Sequence, residues 1–393
     1  MLSEAHITEN DYVIRVHDRP GAIDAAAWNG LLASQAQPTP FMRHEYLAAL
    51  HDSGSATADT GWAPRFVTLD HQGRMVAACP LYLKGHSYGE YVFDWAWADA
   101  YRRHGLDYYP KLLAAVPFTP VPGTRLLAVD ASARRALAQA MLTLAQRAGL
   151  SSVHLLFPDD ADRDTLAATG WMLREGVQFH WTQDPRAPCA DFADLLSRMQ
   201  RDKRKKIQQE RRRVAEAGVH FEAFEGAAIG SDLWDFFYRC YTLTYRAHHS
   251  TPYLTRDFFS RVGRSLADNW VMFIAHQGGE RIAASLVAVD PGRGTAWGRY
   301  WGSTTYVPCL HFEACYYQPL QWCLAHGYRR FEGGAQGEHK MARGLMPTRT
   351  ASAHWLSDDR FAAAVADFLA SEGAGVGRYV DELRDRSPFK EAR

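Results

Sequence analysis

The sequence has no surplus of charge. Its 44 Lys and Arg stand against 44 Asp and Glu, so anion binding, where it occurs, must be local rather than a property of the whole surface. No apolar run approaches the roughly 20 residues that cross a bilayer. The opening residues MLSEAHITENDYVIRV hold no basic stretch followed by an apolar one, so no signal peptide is expected and a cytoplasmic location is. The six cysteines form no C-x-x-C pair, and no His spacing completes a zinc set. Buried thiols in a reducing compartment, and no metal, are the expectation. The Gly-rich run Glu332–Lys340 is followed by no G-K-[ST] and is no G-x-G-x-x-G, so it is neither a phosphate-cradling nor a dinucleotide fingerprint.

What is present is an ordinary globular composition, 47% hydrophobic and 22% charged, over a 393-residue chain long enough for two domains. Strands are expected at Arg65–Leu69 and Met75–Leu83 around a Gly-bearing turn, and an aromatic strand at Tyr88–Trp97. Lys111–Pro122, broken by three prolines, suits an edge or an extended segment. A helix at Ser132–Ala148 closed by Gly149, a buried strand at Ser152–Phe157 and a strand at Trp171–Thr182 follow. The Pro-bearing stretch Gln183–Cys189 reads as a linker, giving domains 1–188 and 189–393. The second half repeats the order of the first: a long helix at Asp191–Ala217, three strands at Trp270–Ala275, Arg281–Val289 and Thr295–Trp301, a helix at Phe312–His326, strands at Tyr328–Glu332 and Thr350–Leu356, and a final helix pair at Phe361–Leu383. Two similar α/β domains are implied.

Four groups of residues carry chemical potential. The helix 191–217 bears Arg201, Lys203, Arg204, Lys205 and Lys206 in near succession on a thin apolar stripe, a pattern that attracts phosphates. A phosphorylated carrier, a nucleotide-linked precursor or tRNA would serve; a solvated surface helix is the plain alternative. His311 suits a general base by type, and Glu313, Tyr317 and Gln321 make a polar stripe at i, i+4, i+8 on a helix that Pro319 should kink. A carboxylate in the first turn is equally what the helix dipole favours. The run Glu332–Lys340 joins Gly333, Gly334 and Gly337 to Gln336, Glu338, His339 and Lys340, with Arg343 beyond. Such polar density after a buried strand is costly unless used. In the first half Trp95 and Tyr101 lie among Tyr88, Asp94, Trp97, Asp99, Arg102, Arg103, His104 and Tyr108, which suits sugars, peptides or bases, or else a core.

The runs CPLYLKGHSYGEYVFDWAWADAY (79–101), AVPFTPVPGTRLL (115–127), GRYWG (298–302), LHFEACYYQPL (310–320) and GAQGEHKMARGLMPTRTASAHW (334–355) resemble the bacterial Fem-like N-acyltransferases, within the GNAT superfamily. The resemblance covers nearly the whole chain. It implies an α/β (α+β) fold of two tandem GNAT-like domains, each a mixed sheet flanked by helices. It also implies transfer of an acyl or aminoacyl group to an amine on a small molecule, a peptide or a cell-wall precursor. The donor would be acyl-CoA or aminoacyl-tRNA, used as a cosubstrate with no tightly bound cofactor. On that reading His311, Glu313, Glu338 and His339 are the catalytic candidates. Arg299, Tyr300, Trp301, Tyr316, Gly333, Gly334, Gln336, Lys340 and Arg343, with Trp95 and Tyr101, bind substrate; Arg201 and Lys203–Lys206 hold phosphate or tRNA. Arg299–Thr304 matches the pyrophosphate-loop pattern of that superfamily only in part. The rival from another class is a non-catalytic binding module for a phosphorylated precursor or nucleic acid.

Overall fold

A computed structural model describes residues 5–7, 12–335 and 337–390. The chain divides into two units. The first holds the described residues up to Gly176 together with Thr350–Arg378; the second holds Val177–Arg349 and the described residues from Tyr379 onward. The division expected at 188/189 differs from this one, because the segment after Thr350 pairs its strand residues with the first half: Ser352–Leu356 lies antiparallel to Ser152–Leu156.

In the first unit an antiparallel sheet runs in the order Ala5–Ile7, Tyr12–His17, Phe66–His71, Arg74–Cys79, Leu127–Ala128. Its central hairpin turns on Gln72 and Gly73, both left-handed (φ 50° and 76°), as a two-residue loop requires. Beside it run Trp62–Pro64, Leu81–Lys84, Lys111–Ala114 and Ser152–Leu156. Lys111–Ala114 is paired on both sides, so it is an interior strand and not the expected edge; Pro110, Pro117, Pro120 and Pro122 all fall outside it. The helix Ala131–Arg147 packs Leu137, Met141 and Leu144 into this core, and Gly149 leaves it at φ 63°.

The second unit is a meander of Val219–Glu225, Trp270–Gln277, Glu280–Asp290 and Thr295–Ser303, each antiparallel to the next. Arg330–Ala335 then joins Thr295–Ser303 in parallel, and pairs on its other side with the end of Met172–Thr182. The helix Ser231–Ala247 lies so close on the sheet that a Cβ at Gly302 would stand 2.0 Å from the Cys240 carbonyl oxygen.

Three expectations need correction. Tyr88–Trp97 is a turn leading into the helix Trp95–Arg103, because Gly89 and Tyr91 take left-handed backbone (φ 79° and 62°) that no strand accepts. The helix 191–217 is two helices, Phe192–Ser197 and Arg201–Glu216. Between them the backbone pairs instead with the far end of the chain, Gln200 N–H donating to Pro388 and Lys390 N–H to Arg198 (2.8 and 2.9 Å). The final helix pair is one helix, Asp359–Asp385.

Candidate active site

The site grows from a fork in the second unit. Thr295–Ser303 and Arg330–Ala335 pair only through Thr295–Trp297 and Arg330–Glu332. Beyond that they part, each keeping its outer neighbour. A bulge at Arg299, where Leu286 faces Tyr300 but Val287 faces Gly298, turns the first strand at the opening. Helix residues close it: the cavity of about 130 Å³ is lined by Arg299, Tyr300, Trp301, Gly333, His311, Cys315 and Tyr316, with Ser285–Val287 behind. A cavity of this size takes a small group and not a whole carrier molecule, since sites for drug-sized ligands run to about 300–1,000 Å³.

Pro319 explains how the helix reaches in. It has no N–H to give, and the turn before it, Glu313–Tyr317, is widened to a π-helix. The buried Ser285 hydroxyl donates to the Ala314 carbonyl at 2.6 Å, meeting an acceptor inside the widened turn. This turn carries Cys315 and Tyr316 to the cavity wall. Gly333 is required by close approach: a Cβ there would meet Leu345 Cδ2 at 2.4 Å and Lys340 Cδ at 3.3 Å.

His311 packs at a tilt 4.7 Å from the Trp301 ring and lies edge-on to Tyr316 at 5.7 Å. Burial, then the charges of His339, Arg343 and Lys340, push its pKa down to about 4, so the imidazole is neutral near pH 7. His339 Nε2 is 3.1 Å from the Tyr316 hydroxyl, and burial lowers its pKa as well. Lys340 donates to the Gly334 carbonyl at 3.1 Å; burial lowers it to about 8. The Cys315 thiol is raised by burial, against the pull of Lys340.

The other candidates fall elsewhere. Glu313 is buried and bonded to Arg211 at 3.1 and 3.2 Å and to Gln318 at 2.8 Å. Glu338 is exposed and accepts from the Tyr379 hydroxyl at 2.8 Å. Residues 332–335 are strand, and Glu338–Arg343 is a 3-10 helix, where a polar loop is expected. Gln336 lies outside the described residues. Trp95 and Tyr101 belong to the first unit; Tyr101 is core against Phe361, and Trp95 is 40% exposed. Arg201, Lys205 and Lys206 are exposed and Lys203 and Arg204 half-buried.

One residue of consequence escapes sequence reasoning. Glu210, on the buried stripe with Ile207 and Val214, holds Arg343 through both oxygens (3.1 and 3.0 Å) and accepts from the Tyr317 hydroxyl. Arg343 in turn donates to the His339 carbonyl at 2.6 Å and lies 3.4 Å above the Phe312 ring. With Arg211 reaching Glu313 and Gln321, the basic helix is bolted to the site by its inner face. A charge at a stripe position of an otherwise apolar seam was the available signal.

Among the described residues no group of three His, Cys, Asp or Glu is placed to hold a metal ion, and no helix is long and apolar enough to cross a membrane. None of the cysteines is in a disulfide; Cys79, Cys240 and Cys323 are buried and Cys189, Cys309 and Cys315 half-buried.

Residues 20–391 match the FemAB-like family, described as peptidoglycan biosynthesis/recognition. No curated protein matches the chain. Among solved structures it is similar to the C-terminal domain of a putative lysylphosphatidylglycerol synthetase from Agrobacterium fabrum (12% identity, TM-score 0.54, covering 88% of this chain and 96% of that one). It is also similar to L-PGS from Bacillus licheniformis (11%, 0.54, 85% and 93%) and to FemX (10%, 0.54, 88% and 98%). At these identities the likeness is one of fold.

Proposed function

The chain belongs to the FemAB-like family, and from that premise we propose that it is an N-acyltransferase, moving an acyl or aminoacyl group from acyl-CoA or aminoacyl-tRNA to an amine on a peptide or cell-wall precursor. The observation that carries the reading is the forked sheet, whose cavity is walled by His311, Tyr316 and the bulged Arg299. Transfer to an amine needs a base for the proton, a donor for the carbonyl oxygen and alignment of the two reactants.

A neutral imidazole in the wall suits the first task, and His311 is neutral down to about pH 4. Glu313 and Glu338 are held by Arg211 and Tyr379, which favours His311 over them as the base. His339 stays beside it through Tyr316. The Tyr316 hydroxyl, its pKa raised by burial, stays protonated and can donate to a carbonyl oxygen. Lys340 and Arg343 supply positive charge behind the cavity, and the outer face of the Arg201–Glu216 helix offers Arg201, Lys205 and Lys206 to a phosphate-bearing carrier.

The test is a calorimetric titration of the protein with acetyl-CoA, longer acyl-CoAs and an aminoacyl-tRNA. Saturable binding of a thioester assigns that donor; binding of aminoacyl-tRNA alone, weakened by neutralising Arg201 and Lys203–Lys206, assigns the other. Binding of neither, with no turnover of either on any amine, overturns the proposal.

A further inference from the structure

The first unit carries a concavity of about 580 Å³ lined by Trp95, Asp99, Arg102, Asp107, Tyr108 and Tyr109, within the size range of small-molecule sites. We propose that it is a carbohydrate-binding site, taking a neutral, hydroxyl-rich ring. This goes beyond the transfer reading and stands on binding alone.

The first ground is what lies beneath it. Lys84 and Lys111 are wholly buried, as are Glu90 and Asp94 to within a few per cent. The Lys111 ammonium donates to Ser87 at 2.8 Å, to Glu90 at 2.9 Å and to Asp94. The Tyr108 hydroxyl donates to the same Asp94 oxygen at 2.6 Å. Lys84 sits 3.5 Å over the Trp62 ring and 3.9 Å from Glu90. Two ammonium groups and two carboxylates removed from water contribute little to stability that apolar packing would not match. What they do is fix the turn 85–94, including Tyr91 at a left-handed φ of 62°, in one geometry.

The second ground is what that turn and the helix after it, Trp95–Arg103, display together with Leu106. Of the eight large hydrophobic side chains exposed among the described residues, five are Tyr88, Tyr91, Phe93, Trp95 and Leu106. The Tyr88 ring packs at a tilt against Trp95, 5.1 Å between centroids. Aromatic faces held rigid and left in water are a binding platform, since burying them inside would cost less than displaying them.

Charge selects the ligand. Arg102 and Arg103 are both committed to Asp99, and Asp107 is exposed in the cavity lining. Around the cavity one cation, Arg102, meets two carboxylates, Asp99 and Asp107. The cation of the lining is already paired with a carboxylate, so a phosphate or nucleotide finds little net attraction there. A sugar C–H face stacks on Trp95, the exposed aromatic of the lining, and ring hydroxyls donate to Asp99 and Asp107 and accept from Arg102.

Ligand-observed NMR titration of the full chain with glucose, N-acetylglucosamine, their β-1,4 disaccharides and AMP tests this. Saturable binding of at least one sugar is expected, with a dissociation constant of about 1 mM or tighter and the same between about 50 and about 300 mM salt. Trp95→Ala and Asp107→Asn should each weaken it about 10-fold or more, while Tyr306→Ala, an exposed tyrosine of the second unit, leaves it unchanged. Melting curves establish that the variants are folded, and Asp107→Asn keeps the test decisive if Trp95→Ala is not. No sugar binding, sugar binding that both variants leave intact, or binding of AMP alone would overturn it. A protein that binds sugar but no acyl donor keeps this site and loses the transferase reading; the reverse result does the opposite.

Discussion

At the scale of single residues, two titrations frame the candidate site. His311 is neutral above about pH 4, so the acid limb of kcat/KM should fall near 4 instead of near the free-histidine value of about 6.5. The alkaline limb should fall near 8, where Lys340 loses its charge. Lys340→Arg moves that limb upward and leaves the acid limb in place; a profile unmoved by it removes Lys340 from the donor site. His311→Gln should reduce kcat by about 10²-fold or more. The same shift has a consequence for stability, with its sign fixed by linkage. A histidine whose folded pKa lies below its unfolded one contributes fully above about 6.5, and that contribution is lost as pH falls from there through about 4. Denaturation of His311→Gln should therefore depend less on pH across that window than denaturation of the parent. Gly333→Ala tests packing alone: with Leu345 Cδ2 at 2.4 Å and the Phe179 carbonyl at 3.2 Å from the new methyl, it should cost about 1–3 kcal/mol, read from a urea midpoint.

At the scale of elements, the Glu210–Arg343 pair joins the basic helix to the 3-10 turn that holds His339. Glu210→Gln leaves the Arg343 charge buried without its partner and should cost about 3–5 kcal/mol. Replacing both, Glu210→Leu with Arg343→Met, should restore most of the stability yet not the activity, because Arg343 also holds the His339 carbonyl. Recovery of activity in the double variant would mean that the pair only fills space. This pair also shows how far the sequence carries. Hairpins with Gly-bearing turns, the capped helix before Gly149 and the break at Pro319 are local, and each is legible because a single residue's backbone limits decide it. The widened turn at Glu313–Tyr317 is half legible: Pro319 announces a lost hydrogen bond, but the hydroxyl that answers it comes from Ser285, 29 residues away. Tyr88–Trp97 misleads because aromatic residues favour strands, whereas its course is dictated by Lys111, a strand away, pulling on Glu90 and Asp94. Of the candidate site, His311, Tyr316, Gly333, Lys340 and Arg343 stand out in the sequence as chemistry. Glu210 does not, since its partners lie more than a hundred residues on.

At the scale of the whole molecule, a chain of zero net charge concentrates a run of cations on the helix Arg201–Glu216. Binding of a phosphate-bearing carrier to Arg201, Lys203, Arg204, Lys205 and Lys206 should weaken steeply with salt. Changing all five to glutamine should flatten the salt slope while leaving the melting temperature within a few degrees, since none of them is in an ion pair among the described residues. The first unit is also closed by residues made late. The strand beside Ser152–Leu156 is Met346–Leu356, paired to it through Ser352–Leu356, about 200 residues further on. At roughly 5–20 residues per second of synthesis, the ribosome supplies that strand about 10–40 s after its neighbour. For that interval His154 waits for His354, its partner at 2.7 Å in the finished protein, with an unpaired strand edge beside it. A chain cut before Met346 should therefore keep that strand edge open, and the fragment is expected to aggregate in a sedimentation assay under conditions where the full chain stays in solution.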